Sequence, residues 1–199
     1  MQNNPSSIPL QPPQILLDDI VSVQVKFFDF NEEEKVGEIE IHKTIQKDIQ
    51  ELFDLIYELK FPLQSVLPVS EFNYEDDASM NANNTSAFNF RTVALDPSRI
   101  SNHGYGLAVD INPVQNPYIK GDRVLPESAV YDEAEQGTLS IDHPITQFMK
   151  KRGYIWGGDW DKSYLDYQHF HKEPDLKFLS EYESEIAEVL ENRRKYSSF

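Results

Sequence analysis

The stretch SNHGYGLAVDI at residues 101–111 places a histidine and an aspartate on either side of two glycines and an apolar run. This pattern predicts a tight loop that carries His103, followed by a buried strand over residues 107–111 that points Asp110 inward. An ionised carboxylate that is buried without a partner is strongly destabilising. A divalent cation is one partner that would satisfy Asp110.

A second stretch, DYQHF at residues 166–170, sets His169 among aromatic residues and places Asp166 shortly before it. Two histidine nitrogens and one carboxylate oxygen leave one open position on a tetrahedral Zn²⁺, which is the ligand count of a catalytic site. Asp166 would then act as general base and later as general acid. Each of these residues alone is more often an ordinary hydrogen-bonded side chain, so a structural network without metal stays open.

Composition limits the classes of protein that this chain can belong to. Its 199 residues and 39% hydrophobic content suffice for one folded domain. The formal net charge of -16 repels phosphate backbones and anionic lipid headgroups, so we expect no nucleic-acid partner. With no cysteine, disulfides, cysteine-ligated zinc and thiol catalysis are excluded, and any metal must bind histidine and carboxylate ligands.

The chain shows neither a long apolar segment nor a recognisable signal peptide, so we expect no membrane insertion of this chain. A signal peptide could have been removed, and the compartment therefore stays open.

Residues 1–14 are rich in Pro, Asn, Gln and Ser and are expected to form an extended arm before a single domain at residues 15–199. We expect a monomer.

Hydrophobic periodicity predicts a mixed α+β fold. Alternating apolar residues indicate a hairpin of strands at residues 21–27 and 37–41, while helical spacing after a Thr44 cap indicates a helix up to Phe61. The remaining expected elements are a short strand at 65–69, a polar loop at 73–85 and helices at 144–152 and 175–194.

The motifs resemble one peptidase family in order and spacing. The pattern S-x-H-x-x-G-x-A-x-D at residues 101–110 is followed by GYIWGGDW at 153–160 and by D-x-x-H at 166–169. Together they resemble the zinc D-alanyl-D-alanine carboxypeptidase and L-alanyl-D-glutamate peptidase family, over about residues 80–171. That family includes the vancomycin-resistance D,D-peptidases and several phage endolysins. The resemblance implies one Zn²⁺ per chain bound by His103, Asp110 and His169, in a small antiparallel sheet with flanking helices, the hedgehog/D,D-peptidase fold.

The resemblance also implies residues that bind substrate. Ser86 and Arg91 fit a serine and an arginine that the family places before its first motif, and Ser101 begins that motif. Arg91 would polarise the scissile carbonyl or hold a substrate carboxylate. A surface salt bridge for Arg91 and a turn hydroxyl for Ser86 are the alternatives.

The GYIWGGDW motif is expected to line the substrate groove. Trp156 and Trp160 would offer flat apolar contact, and the glycines between them would let a peptide approach the backbone. Packing of both tryptophans in the core is an equally open alternative. On a strand His171 would share a face with His169, and we expect it to support the site rather than bind the metal.

The resemblance implies a zinc metallopeptidase that acts on peptidoglycan or its stem peptides outside the cytoplasm, and D-alanyl-D-alanine carboxypeptidase activity is the first expectation. Asp166 stands where several resistance enzymes have glutamate, which leaves the cleaved bond open. L-alanyl-D-glutamate endopeptidase activity, as in endolysins, is one alternative. A non-catalytic zinc-bearing binding module is another, because the hedgehog signalling domain resembles this fold and keeps a zinc site.

Overall fold

The structure is a computed structural model that describes residues 10–94, 96–127 and 129–196, with residue 196 described by its backbone alone. Its α-helices are α1 (Gln14–Leu17), α2 (Gln46–Glu58), α3 (Asp76–Asn81), α4 (Pro144–Lys151) and α5 (Leu176–Tyr196). Its strands are β1 (Ile20–Phe28), β2 (Glu34–His42), β3 (Ser65–Val66), β4 (Asn84–Thr85), β5 (Thr92–Val93), β6 (Asp96–Ile100), β7 (Ala108–Asp110), β8 (Tyr118–Lys120), β9 (Arg123–Leu125), β10 (Ile155–Trp156), β11 (Tyr164–Asp166) and β12 (His169–His171). The expected α+β class with small antiparallel sheets is confirmed.

The long hairpin β1–β2 forms one wall of the core. Its strands pair antiparallel from Ile20 opposite His42 to Phe28 opposite Glu34. Alternate residues of both strands face inward and pack against the apolar face of α2. The period of two and the helical spacing read from the sequence are therefore both confirmed, since each places one apolar face toward the same core.

The start of α2 differs from the prediction of a Thr44 cap. The chain first makes a 3₁₀ turn at Lys43–Ile45, and the backbone amide of Thr44 donates to Nδ1 of His42 at 3.2 Å. His42 is thus the capping side chain, because it ends β2 with its ring turned back over this turn. Its Nε2 lies 2.8 Å from the hydroxyl of Tyr182 in α5, which ties the last helix to the hairpin.

The segment 73–85 was expected to be a loop, and this prediction is wrong. It contains α3 and β4, which pairs in parallel with β3. Among the residues of α3 only Ser79 is buried, so the sequence of this helix has almost no apolar periodicity from which it could be predicted. Asp76 and Asp77 in its first turn interact favourably with the positive end of the helix dipole.

The two later helices agree with expectation, at Pro144–Lys151 and Leu176–Tyr196. No helix in the described ranges is long and apolar enough to cross a membrane. At the amino end, residues 1–9 of the expected arm lie outside the described residues, while Leu10 packs against the core and Gln14 already begins α1. The division into an arm and one domain stays a prediction.

Two small sheets position the residues that the motifs singled out. One has the order β10–β12–β7 and the other β11–β8–β9, all antiparallel. The hairpin supports the first sheet through the loop before β7, because the amide of His42 donates to the carbonyl of Gly106 at 2.9 Å. The segment before β5 is attached similarly, with the amide of Phe88 donating to the carbonyl of Glu40 at 3.0 Å.

Candidate metal centre

Three side chains converge where β7 meets β12. His169 and Asp110 are directly opposite in the antiparallel register, so their side chains leave the sheet on the same face. Nδ1 of His169 lies 2.9 Å from Oδ1 of Asp110 and 3.0 Å from Nε2 of His103. The third side of the triangle, from His103 Nε2 to Asp110 Oδ1, is 3.2 Å. Residues up to 66 positions apart in the sequence are thus brought together at one site.

The loop before β7 delivers His103 in a defined orientation. Gly106 has φ +68°, and a Cβ there would lie 2.6 Å from the amide nitrogen of His42, so only glycine lets the loop close against the hairpin. Nδ1 of His103 lies 2.6 Å from the carbonyl oxygen of Ala87, which can only accept. Nδ1 must therefore carry a proton, and in the neutral ring Nε2 is left with a lone pair that points at Asp110 and His169.

This donor set fits a divalent metal ion. A tetrahedral zinc with bonds of about 2.0–2.1 Å separates its ligand atoms by about 3.3 Å. The three distances between the described donor atoms are 2.9, 3.0 and 3.2 Å, close to that value before any ion has spread them. The side chains are nearly buried, with His103 5%, Asp110 7% and His169 8% exposed. His103, Asp110 and His169 could hold a metal ion.

Electrostatics hold the centre in its ionised form. Burial works against the charge on Asp110, but the two histidines outweigh it, and the pKa of Asp110 lies well below its ordinary range. Burial likewise opposes a charged His103, yet the carboxylate of Asp110 raises the pKa of His103 above its usual value. A metal ion would take over the positive charge that protonated histidine otherwise supplies to this carboxylate.

Asp166 lies beside this cluster with an unusual carboxyl group. Burial raises the pKa of Asp166 from 3.8 to about 6, and the negative charge of Asp110 adds to the rise, while His169 opposes it. Among the described residues, Oδ1 of Asp166 is buried and has no hydrogen-bond partner. A desolvated carboxylate that has an unused acceptor and a pKa close to neutrality is suited to accept and return a proton.

The position of Asp166 depends on Gly157. A Cβ at Gly157 would lie 2.3 Å from the carbonyl oxygen of Asp166 and 2.8 Å from its Cβ. A Cβ at Gly158 would meet the ring of Trp156 at 2.4 Å. These glycines are therefore required by packing within the protein, which replaces the expectation that they leave room for a peptide at the backbone.

The segment 86–91 runs past the candidate centre. Ser86 and Asp110 exchange backbone hydrogen bonds of 3.1 and 2.8 Å, which brings Ser86 next to a candidate ligand. The side chain of Arg91 is about one third exposed and pairs with Asp76 of α3 at 3.1 Å. In the described structure, Nε of Arg91 is buried and donates no hydrogen bond. The pairing of Arg91 with Asp76 was not predicted, because α3 has no apolar periodicity.

Ser101 and Trp156 have contacts within the protein. The hydroxyl of Ser101 accepts from the amide of Gly104 at 3.0 Å and so closes the loop. Trp156 is 2% exposed, and its indole N–H donates to the carbonyl of Tyr167 at 2.8 Å. This burial contradicts a place for Trp156 in the groove wall and agrees with the alternative of core packing. The other tryptophan, Trp160, faces the centre, with its ring 5.4 Å from that of His169.

A cavity adjoins this face of the molecule. It has a volume of about 500 Å³ and opens between the amino-terminal residues, the segment 86–91 and α5. Arg91 lines it, together with Tyr74, Phe88 and Phe90. The cavity does not include the three candidate ligands among its lining.

Buried nitrogen and oxygen donors with an acid beside them are an arrangement found in metal-dependent hydrolases. A family model described as D-alanyl-D-alanine carboxypeptidase matches residues 96–172. Residues 96–172 are therefore similar to the D-alanyl-D-alanine carboxypeptidase family, in agreement with the resemblance of the motifs, and the match supports a peptidase of that general kind. The match includes the three candidate ligands and Asp166, while Ser86 and Arg91 precede it. No solved structure matches the chain significantly.

Proposed function

We propose that this protein is a zinc metallopeptidase that hydrolyses an amide bond in peptidoglycan stem peptides, with D-alanyl-D-alanine carboxypeptidase activity as the first candidate. The observation that carries the proposal is the triangle of donor atoms of His103, Asp110 and His169, with distances of 2.9 to 3.2 Å, beside Asp166, whose Oδ1 has no hydrogen-bond partner in the described structure. The family match supports the peptidase class. A substrate in the cell wall would place the enzyme outside the cytoplasm.

One Zn²⁺ per chain is the ion we propose, held by His103, Asp110 and His169. Two imidazole nitrogens and one carboxylate oxygen are the donors of catalytic zinc sites, whereas Mg²⁺ and Ca²⁺ prefer oxygen ligands throughout. When bound, the ion supplies Lewis-acid chemistry, since it polarises a carbonyl group and makes water a stronger acid.

Asp166 is the residue to which we assign proton transfer. Its unused acceptor, Oδ1, can take the proton from an attacking water, and the raised pKa of Asp166 lets it hold that proton until the leaving amine needs it. The ring of Trp160 next to His169 limits the access of further water on this side of the centre.

Arg91 is proposed to hold the carbonyl or carboxylate oxygen of the substrate, and this role predicts a kinetic defect. We expect Arg91→Gln to lower kcat/KM for a stem peptide by about 10²-fold, because a charged donor to the reacting group is lost. Steady-state kinetics of peptide hydrolysis measure this. Arg99→Gln, which removes an exposed arginine from β6, is the matched control and should leave kcat/KM unchanged. Equal activity of both variants would contradict the role of Arg91.

The contact between Arg91 and Asp76 favours one alternative substrate. Asp76 offers Arg91 a carboxylate at 3.1 Å, so the positive charge is already partly balanced before substrate binds. A terminal carboxylate, as in D-alanyl-D-alanine, would compete with Asp76, whereas an internal amide carbonyl carries no full charge and would not. L-alanyl-D-glutamate endopeptidase activity is therefore the second candidate function.

Mass spectrometry of muropeptides after incubation with the zinc-loaded protein tests the proposal. We expect fragments that have lost the terminal D-alanine, and none after zinc has been removed with a chelator. Cleavage between L-alanine and D-glutamate would instead establish the endopeptidase alternative. Intact muropeptides in the presence of a stoichiometrically zinc-loaded protein would contradict a peptidase and favour the non-catalytic zinc-bearing module.

A further inference from the structure

β12 continues the candidate metal centre through a second histidine. His169 and His171 are two positions apart on this strand, so their side chains share one face of it. Nε2 of His169 lies 3.1 Å from Nδ1 of His171. On the far side of the ring, Nε2 of His171 lies 3.2 Å from Oε1 of Glu173. His171 is 5% exposed, so its ring is fixed by packing as well as by these two contacts.

The direction of every hydrogen bond in this series follows from its inner end. Nδ1 of His169 faces Asp110 and His103, and a metal ligand there must present a lone pair. The proton of His169 is then on Nε2, which donates to Nδ1 of His171. His171 in turn carries its proton on Nε2 and donates to Glu173, which can only accept when ionised. Each nitrogen in the series therefore acts either as a donor or as an acceptor, and none has to be both.

The two candidate histidine ligands therefore have different outer partners. His103 is oriented by a backbone carbonyl, that of Ala87 at 2.6 Å, which no side-chain substitution removes. His169 is oriented by the side chain of His171, which a single substitution removes. Glu173 is 63% exposed in its side chain, so its charge is screened by solvent and acts mainly through His171.

We propose that His171, supported by Glu173, is a positioning residue that fixes the ring orientation and the tautomer of His169 and thereby strengthens metal binding. This inference rests on the proposed metal site. A partner that accepts the second N–H of a histidine ligand increases the basicity of that ligand, and loss of such a partner typically weakens metal affinity by about 10- to 100-fold.

The zinc affinity of His171 variants tests the inference without any measurement of activity. We expect His171→Leu to raise the dissociation constant for zinc by about 10- to 100-fold in competition with a chromophoric chelator. His171→Asn should bind nearly as the wild type does, because the amide oxygen of asparagine can accept from His169. The zinc dissociation constant of Glu173→Gln should lie between those of the wild type and His171→Leu. His143→Asn, which replaces a histidine at the start of α4, is the control for loss of an imidazole.

Thermal unfolding of the metal-free variants shows whether they fold alike. Zinc affinity of His171→Leu equal to that of the wild type would overturn the positioning role, as would equally weak binding by His171→Leu and His171→Asn. A wild-type protein that binds no zinc would be a different result, since it would remove the proposed metal site itself and this inference with it.

Discussion

Replacement of Asp166 with asparagine is expected to lower kcat for stem-peptide hydrolysis by about 10³-fold, because asparagine can neither accept the proton of the attacking water nor return it to the leaving amine. Oδ1 of Asp166 has no partner in the described structure, so the substitution leaves no other protein group without its hydrogen bond there. Steady-state hydrolysis of a stem peptide measures the loss. Asp161→Asn, a change of an acid near the start of β11, should retain activity.

The stability of the same variant separates a chemical defect from a folding defect. In the metal-free protein the pKa of Asp166 rises from 3.8 to about 6 on folding, so the folded state holds the proton more tightly than the unfolded state. The contribution of Asp166 to the stability of the wild type therefore falls as pH rises from about 4 to 6, and Asp166→Asn lacks this contribution. Above pH 6 the variant should be more stable by on the order of 3 kcal/mol in urea unfolding, and below pH 4 the difference should vanish.

A reduced activity together with reduced stability at neutral pH would contradict this account of Asp166. A variant that keeps full activity would instead show that another group transfers the proton.

Replacement of His103 with alanine is expected to remove both zinc binding and hydrolysis, because two protein ligands remain where three were available. Zinc at about 1,000 times its dissociation constant should stabilise the wild type by about 4 kcal/mol, which corresponds to a rise in Tm on the order of 10 °C. His103→Ala should show no such rise. Thermal unfolding with and without zinc, together with elemental analysis, measures both effects.

The control for His103→Ala is His143→Asn, which should keep the full rise in Tm with zinc. A variant without His103 that is still stabilised by zinc to the wild-type extent would show that the ion binds elsewhere. Activity that survives complete removal of metal from the wild type would show that the reaction does not need it.

The longest elements of the fold could be predicted because their apolar residues follow regular periods. The hairpin and α2 each place one apolar face on the core, and both were found within a few residues of their observed bounds. In contrast, α3 buries almost nothing, so its presence and its residue Asp76 left no periodic signal. The capping by His42 was missed because a histidine is not among the residues usually found at that position.

The parts of the candidate site that could be predicted are those that depend on the spacing of residues within a short stretch of sequence. The two stretches around Asp110 and His169 name the donors, and the strand pairing that joins them agrees with that prediction. Whether Trp156 and Trp160 point toward the core or toward the metal centre could not be predicted from the sequence, because it depends on how β10 packs onto β12. The outer partner of His103 was equally hidden, since it is a backbone carbonyl, whereas the position of His171 on the same strand face as His169 was expected.

The close contact of Gly157 with Asp166 changes how a mutational scan of this protein should be interpreted. A side chain of any kind at Gly157 would push on the backbone of the acid, with its first carbon only 2.3 Å from the carbonyl oxygen of Asp166. Such a scan would score position 157 as though it took part in the reaction, although glycine has no functional group to contribute. Intolerance there would report the placement of a neighbouring carboxylate.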